Sequence, residues 1–408
     1  MKKKNLILAI LILFGSFAFG QNDTNQTRIG QLTFNYPLGT NGFNSYDYGN
    51  NMSINLLVGL NGGVEGVEFG GLGNVNNGDV NGVQVGGILN ANKGNVNGAQ
   101  FAGNLNLNHG DFSGAQISGL VNINTGNSDG IQTAGLVNFN KGDMKYCQAS
   151  GLVNANIGNA EGLQVAGILN SNLSSPEKKS VQLVQISGLI NENASPMKGA
   201  QITSILNISA DTLVGTQIGL INIGTYVKGT QIGLINIVTD DSSKVVPIGL
   251  LSFVKGGVYE LEIAGGDLLY ANINLKLGVE KLYSIFKIGY SVSGGNSVYS
   301  YGFGLGRYFN LNDKNKLSLE ISSNSLSDMF FMTTSLDLVN KLDLNYKHSI
   351  TDNISFFVGP SFNVYVSGDY GQGETPLLKP MYTIAKDNYY NVNVYTWVGA
   401  NAGIALRF

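Results

Sequence analysis

Apolar and polar residues alternate through the middle of the chain, and the alternation itself repeats every sixteen residues. In one unit the apolar members are Ala115, Ile117, Val121 and Ile123, and the polar members are Gln116, Ser118, Asn122 and Asn124. A period of two is typical of a β-strand, because successive side chains of a strand point to opposite faces. The pattern predicts strands whose apolar face, including Val121 and Ile123, points inward and whose polar face, including Gln116, points to solvent.

The repeat unit has the sequence Gly-x-Gln-x-x-Gly-(Leu/Ile)-x-Asn-x-Asn-x-Gly, and twelve units can be counted between about Gly66 and Lys255. Its glutamines stand sixteen residues apart at Gln84, Gln100, Gln116, Gln132, Gln148 and Gln164, and Glu68 takes the same position one unit earlier. A five-residue insertion that includes Ser175 to Lys179 precedes the units of Gln185, Gln201 and Gln217. Such a fixed period is the signature of a repeat architecture, which must be recognised before any other fold assignment.

Two β architectures are compatible with this repeat. In a β-solenoid each unit is one coil, so identical side chains stack at the strand spacing of about 4.8 Å. In an antiparallel meander, successive strands run in opposite directions, so the natural sequence period would be two units long. The strict one-unit period favours the solenoid, with glycine and asparagine at the corners. Barrel strands whose Gln and Asn line a pore are the alternative.

From Leu268 onward the repeat is replaced by longer alternating segments. Their length suits strands that cross a membrane, which have about 9–11 residues or more. With one segment before the repeat, the predicted strands are 29–36, 269–279, 282–292, 299–309, 316–323, 336–346, 354–366 and 392–408. A further strand at Ile54–Leu60 or at Val258–Gly265 would change the count. The predicted fold is all-β, with a 16-residue-repeat solenoid joined to an antiparallel transmembrane barrel of 8–10 strands.

The lengths of the connections predict which side of the membrane each lies on. Connections at 280–281, 310–315 and 347–353 are short, and they alternate with those at 293–298, 324–335 and 367–391, which are mostly longer. Outer-membrane barrels have short periplasmic turns and longer outer loops. With 29–36 as the first strand, the repeat domain follows that strand and is expected outside the cell. A count wrong by one strand would place it in the periplasm instead.

The first twenty residues have the features of a secretory signal peptide. Lys2, Lys3 and Lys4 precede an apolar stretch from Leu6 to Phe14, and Ala18-Phe19-Gly20 provides a cleavage site. The predicted organisation is therefore a signal peptide at 1–20 and an N-terminal segment at 21–51 with a possible first barrel strand. The repeat domain spans 52–257 and the outer-membrane barrel 258–408.

Composition narrows the functional class. Removal of the three leader lysines takes the formal net charge from −3 to −6, which argues against a nucleic-acid partner. Only 12% of the residues are charged, compared with about 25% in ordinary globular proteins. The 56 glycines occur without a Gly-X-Y period, so collagen is excluded. The lone Cys147 falls at an apolar repeat position and is predicted to be a small core residue.

The sequence contains few residues that could form a catalytic, nucleotide-binding or metal-binding site. His109 and His348 lie in different halves without an acid or serine at a recognisable spacing, and His109 is predicted to occupy a solvated corner. Gly302, Gly304 and Gly306 lie inside a predicted strand and open no helix, so they do not form a nucleotide-binding loop. The sequence predicts no catalytic, cofactor-binding or metal-binding residue, and therefore no enzyme and no cofactor.

The stretch from Tyr36 to about Phe286 resembles a family of bacterial outer-envelope surface-repeat proteins. The matching pieces are Pro37 to Gly42, the serial Gly-x-Gln-x-x-Gly-Leu-x-Asn units, Gln231 to Asn236, Ile248 to Val254, and Phe286. The resemblance implies a surface location in a Gram-negative envelope and supplies no catalytic residues. Separately, the terminal Arg407-Phe408 is similar to the aromatic signal by which the barrel-assembly machinery recognises outer-membrane barrels.

These features predict a non-enzymatic outer-membrane protein that displays a structural or adhesive module. Expected partners are outer-membrane lipid and a glycan or protein ligand bound to the polar face of the repeats. The alternative function is an outer-membrane pore or transporter in which the repeats are barrel strands.

Overall fold

A computed structural model describes residues 26–173, 180–328, 337–368, 376–378, 383–389 and 392–408. The predicted signal peptide (1–20) and most of the insertion before Gln185 lie outside these residues. The described chain is all-β apart from one short 3-10 helix at Gly42–Asp47, and it combines a solenoid of about twelve turns with a closed eight-stranded barrel. No helix among these residues is long and apolar enough to cross a membrane. The chain divides into two compact units, residues 1–151 and 152–408.

The described part of the first unit consists of solenoid coils. Its strands are β1 Gln26–Asn35, β2 Leu38–Gly39, β3 Tyr48–Asn55, β4 Val58–Asn61, β5 Gly63–Gly70, β6 Gly73–Asn76, β7 Val80–Gly86, β8 Leu89–Asn92, β9 Val96–Ala102, β10 Leu105–Asn108, β11 Phe112–Ser118, β12 Val121–Asn124, β13 Ser128–Ala134, β14 Val137–Asn140 and β15 Met144–Ser150. Each coil has a longer and a shorter strand. Both pair in parallel with their counterparts one repeat away, as Gln116 with Gln132 and Asn122 with Asn138 show. The parallel register confirms the solenoid.

The second unit begins with coils of the same kind. Their strands are β16 Val153–Asn156, β17 Ala160–Ala166, β18 Leu169–Asn172, β19 Val181–Ser187, β20 Ile190–Asn193, β21 Met197–Thr203, β22 Leu206–Ile218, β23 Ile221–Ile232, β24 Ile235–Val238, β25 Lys244–Ile248 and β26 Leu251–Val254. The register survives the insertion, because Gln164 pairs with Gln185 across it. The parallel pairing of the described strands is therefore the same on both sides of the insertion.

The faces of the coil are the reverse of those predicted. Gln116, Asn122 and Asn124 are completely buried, whereas Ile117 is 41% exposed and Ile123 is only half-buried. A sixteen-residue coil is flat, so amide side chains from its two strands reach each other and neighbouring coils. Because every amide carries both donors and acceptors, stacked copies can satisfy one another's hydrogen bonds in the interior. The prediction that Val121 and Ile123 point inward and Gln116 outward is wrong.

The predicted first barrel strand, 29–36, is also wrong. β1 runs parallel to β3 with Leu32 opposite Ile54, so the segment begins the solenoid sheet. Apolar and polar residues alternate in this segment as they do in a barrel strand, but the segment pairs with β3 of the next coil. The first barrel strand is instead Val258–Gly266, which the sequence had left as an open possibility.

The rest of the second unit is the barrel. Its strands are β27 Val258–Gly266, β28 Ala271–Val279, β29 Leu282–Ser293, β30 Asn296–Asn310, β31 Asn315–Ser327, β32 Asp337–Ser349, β33 Ile354–Gly368, β34 Ala385–Tyr389 and β35 Val392–Arg407. Neighbouring strands are antiparallel, and β27 pairs with β35 to close the barrel, with Ile263 opposite Ile404. The short β34 pairs only with the first five residues of β35, so eight strands form the closed wall.

The two rims of the barrel differ. The coil rim carries Val258, where the solenoid enters, the C-terminal Phe408, and the turns at 280–281, 311–314 and 350–353. The loop rim carries the connections at 267–270 and 294–295, together with the strand ends at Ser327, Asp337, Gly368 and Val392. An even number of strands places both ends of the wall on one rim. The solenoid therefore joins the barrel at the rim of short turns. The extracellular prediction assumed a barrel strand before the repeats, and the structure has no barrel strand there among the described residues.

Candidate functional site

A ladder of buried glutamines runs through the interior of the coils. In the first unit Gln100 Nε2 donates to Gln84 Oε1 at 2.7 Å, and Gln116, Gln132 and Gln148 each donate in the same way to the glutamine one coil earlier. In the second unit the ladder continues from Gln185 to Gln231 with donor–acceptor distances of 2.7–3.2 Å. Within the described residues the Oε1 of Gln231 accepts no hydrogen bond, because Pro247 occupies the next position.

Asparagine ladders accompany the glutamines and have the opposite direction. Asn90 Nδ2 donates to Asn106 Oδ1 of the following coil at 2.9 Å, whereas each glutamine donates to the preceding coil. Within a coil the two kinds are joined, as Asn92 Nδ2 donates to Gln84 Oε1 at 2.8 Å and Gln84 Nε2 donates to Asn92 Oδ1 at 3.1 Å. The buried amides of the two kinds of ladder therefore donate in opposite directions along the stack.

Glu68 terminates the glutamine ladder of the first unit. Its carboxylate accepts amide hydrogens from Asn76 and Gln84, both at 2.8 Å, from Asn55 at 3.1 Å, and from Asn61. A carboxylate is an acceptor only, so it suits a position at which four donors converge. Burial nevertheless dominates and raises the pKa of Glu68 from 4.5 to about 7, while the hydrogen bonds from Asn76, Gln84, Asn55 and Asn61 lower it.

The barrel lumen contains a balanced cluster of charges. Its members are four acids (Glu260, Glu262, Glu320 and Asp343) and four lysines (Lys276, Lys287, Lys341 and Lys347). Lys276 Nζ lies 2.6 Å from Glu262 Oε1 and 2.5 Å from Glu320 Oε1, and each of these three side chains is at most 3% exposed. Ion pairs buried to this degree are tolerated only where hydrogen bonds satisfy the remaining atoms. Tyr283 and Tyr308 provide such bonds, since their hydroxyls donate to Glu320 at 2.8 Å and to Glu260 at 2.6 Å.

Large side chains fill the remainder of the lumen. The gap among the charged residues has a volume of only about 20 Å³, which is room for about one water molecule. Towards the loop rim an apolar cluster closes the lumen, and its buried members are Leu268, Leu269, Val298, Leu326, Val339, Tyr365, Leu378 and Trp397. The Trp397 indole donates to Asp267, and the Tyr365 hydroxyl donates to Asp337. The part of the lumen that these described residues line is therefore a packed core.

Apolar side chains cover the outer wall of the barrel. Ile263, Ile273, Ile288, Ile321, Val358 and Ile404 point away from the lumen and are 48–62% exposed. Exposed aliphatic surface of this extent on a closed barrel is the surface that lipid covers in membrane barrels.

The coils also carry exposed apolar residues, arranged along one edge. In most coils this apolar edge consists of the residue after the ladder position and a second residue two or three positions further on, and the two flank a turn. In the first unit it includes Phe69, Leu72, Ile88, Phe101, Ile117, Leu120 and Leu136, which are 39–45% exposed. In the second unit it includes Val165, Ile168, Ile186, Leu189, Ile202, Ile205, Ile218, Leu220, Ile232, Leu234, Ile248 and Leu250, which are 37–47% exposed.

A groove lies beside the first coils. It has a volume of about 490 Å³ and is lined by Tyr36, Phe43, Asn44, Tyr46, Leu60, Asn61, Val75, Asn76, Asn77 and Lys93. Three aromatic rings beside amide groups give it both apolar and polar surface. Its size and its mixed lining would suit a small ligand.

Three residues considered in the sequence analysis, His109, Cys147 and Gly306, can be compared with their predicted environments. His109 is exposed at a corner, as predicted, with Thr125 Oγ1 3.4 Å from its Nδ1. Cys147 is half-buried on the outer side of its strand and is not a core residue, so that prediction is wrong; burial raises the pKa of its thiol. Gly306 lies inside β30, as predicted, and faces the lumen, where an added Cβ would lie 2.4 Å from the Tyr283 ring. The glycine run thus leaves space for the residues that fill the lumen.

Sequence reasoning missed the lumen cluster and Glu68. The lumen acids and lysines alternate with apolar residues in their strands, so in the sequence they look like surface charges. Only the closed barrel shows that they face an enclosed lumen and lie close together. The signal for Glu68 was visible, because it is the one acid at the ladder position, which is glutamine in most of the coils. Among the described residues, no group of three or more His, Cys, Asp or Glu side chains is arranged to hold a metal ion.

Comparison with protein-family models, with curated proteins and with solved structures finds no match. The resemblance to surface-repeat proteins therefore stays a prediction.

Proposed function

We propose that this protein is a non-enzymatic outer-membrane protein in which the barrel serves as an anchor for the solenoid. The observation that carries the proposal is the packed lumen, which pairs four acids with four lysines inside a wall whose outer face is apolar. A lumen of this kind stabilises a wall without providing a path through it. The exposed Phe408, whose backbone N–H bonds to Tyr259 O at the seam of the barrel, fits recognition by the barrel-assembly machinery.

The position of the solenoid supports a periplasmic role. Val258 lies on the rim that carries the short turns, and single-chain outer-membrane barrels keep their short turns in the periplasm. The solenoid is then a structural element between the outer membrane and what lies beneath it. This replaces the extracellular display expected from the sequence.

A ligand-binding role for the coils cannot use the amide array, because its Gln and Asn side chains are buried. If the solenoid binds a glycan or a protein, the groove lined by Tyr36, Phe43 and Tyr46 offers the better surface, since aromatic rings present both an apolar face and a polar group.

Conductance in planar lipid bilayers tests the proposal against the pore alternative. We expect the purified full-length protein to insert and to give no steady channels. Insertion is verified independently by resistance of the barrel to protease and by a shift in gel mobility on boiling. Large, steady channels from inserted protein would contradict the anchor function.

A further inference from the structure

The coils of the second unit are amphipathic about their long axis. The apolar edge carries two aliphatic side chains from each coil. The opposite edge, where the other turn of each coil lies, carries the exposed charges Lys228, Asp241, Lys244 and Lys255. A continuous apolar column of this length on a protein surface marks contact with a partner or with lipid.

The last coil contacts the outer wall of the barrel. Both of its strands, β25 and β26, lie against β28 and β29, so the open end of the stack meets the wall. Ser284 Oγ on β29 donates to Gly249 O in the turn of that coil at 2.8 Å. Leu277, on the outer face of β28, is 5% exposed, whereas Ile273 on the same face is 52% exposed. The coil therefore covers part of the wall near the coil rim, and the stack extends sideways from it.

The two edges of the last coil meet the barrel at different heights. The charged edge ends at Lys255 and continues through Gly257 directly into Val258 at the rim. The apolar turn at Gly249 meets Ser284, which is level in the strand register with Tyr259, one residue further from the rim than Val258. The apolar edge of this coil is thus on the side of the barrel's own exposed aliphatic surface.

We propose that the apolar edge of the second unit's coils lies in the adjacent membrane leaflet, so that the solenoid rests on the bilayer through its aliphatic column. The inference rests on the proposed membrane location of the barrel and specifies lipid as the partner of the coil. Lipid is favoured over a second copy of the chain because the apolar edge is continuous with the barrel wall that lipid would already cover. Amphipathic helices bind in this way at the boundary of headgroups and acyl chains, and the coil has the same division into an apolar and a charged edge.

Quenching by brominated lipid in reconstituted bilayers tests the inference on the full-length chain. Cys147→Ala removes the native thiol, and single cysteines are introduced by Leu220→Cys on the apolar edge, Lys228→Cys on the charged edge and Ile288→Cys on the barrel wall. Each carries an environment-sensitive fluorophore. We expect loss of fluorescence at Leu220 and Ile288, and little loss at Lys228.

The Ile288 variant separates failure of the inference from failure of the proposed function. Quenching at Ile288 with no more quenching at Leu220 than at Lys228 would overturn the lipid contact and leave the anchor intact. No quenching at Ile288 would overturn both. Disulfide cross-links between chains through the Leu220→Cys variant, without quenching there, would assign the edge to a second copy and also overturn the inference.

Discussion

At the scale of single residues, the coil is stabilised by amide groups in its interior. A buried amide costs free energy unless its donors and acceptors are paired, and here most are paired by stacking on their own copies. Glu68 is the one ladder residue that can carry a charge, and Gln116 is a typical neutral member of the ladder. Each gives a prediction that depends on burial.

Glu68 should make the stability of the first unit depend on pH. Its pKa of about 7 in the folded chain exceeds the ordinary 4.5, so the folded state holds the proton more tightly than the unfolded state. The stabilisation is fully present below pH 4.5 and is lost as the pH rises through 7, by about 3 kcal/mol in all. Thermal unfolding from pH 4 to 8 should show this loss in the native protein and not in Glu68→Gln. Parallel pH profiles of the two proteins would refute the assignment.

Matched aspartate substitutions test the reversed faces of the coil. Gln116→Asp places a charge in the interior and removes hydrogen bonds to Gln100 and Gln132, so it should destabilise by about 3 kcal/mol or more. Ile117→Asp, one residue later, places the charge on the exposed edge and should cost less than about 1 kcal/mol. Chemical denaturation in detergent measures both. Equal losses, or a larger loss at Ile117, would restore the orientation expected from the sequence.

The sequence predicted the coil but not its faces, for a physical reason. Alternation shows that Gln116 and Ile117 point in opposite directions, and it does not show which direction is inward. The usual expectation of an apolar interior fails here because the strict repeat lets amides pair with one another. The sixteen-residue period correctly predicted the parallel stack. When each unit is one coil, equivalent residues of successive coils lie next to each other, and the amides can then pair with their own copies.

At the scale of elements, the closed wall of strands and the charged cluster in the lumen depend on each other for their structure. Seven of the eight wall strands were predicted within a few residues, since their alternation is long and regular. The first was not, because 29–36 and 258–266 both alternate and only the pairing of β27 with β35 distinguishes them. The lumen cluster likewise exists only after closure, when Lys276 meets Glu320 from three strands away.

Two lysines provide a matched test of the lumen. Lys276→Met leaves Glu262 and Glu320 buried without their cation and should destabilise the barrel by about 3–5 kcal/mol. Lys281→Met, in the exposed turn between β28 and β29, should change stability by less than about 0.5 kcal/mol. The temperature at which the folded band disappears on an unboiled gel reports both. Similar temperatures for the two variants would mean that the buried pairs do not stabilise the wall.

At the scale of the whole molecule, a wall that lipid would cover is joined to coils that enter at the rim of short turns. Both ends of an even-stranded barrel lie on one side of the membrane. The location of the solenoid therefore follows from which rim faces the cell exterior.

Epitope tags on intact cells test this arrangement most directly. One tag is placed between Gly294 and Gly295 on the loop rim, and another between Asp241 and Ser242 on the charged edge of the coils, where both insertion points are exposed turns. We expect antibody to reach the tag at 294–295 on intact cells and to reach the tag at 241–242 only after the outer membrane is permeabilised. Antibody binding to the tag at 241–242 on intact cells, with the tag at 294–295 protected, would contradict this arrangement.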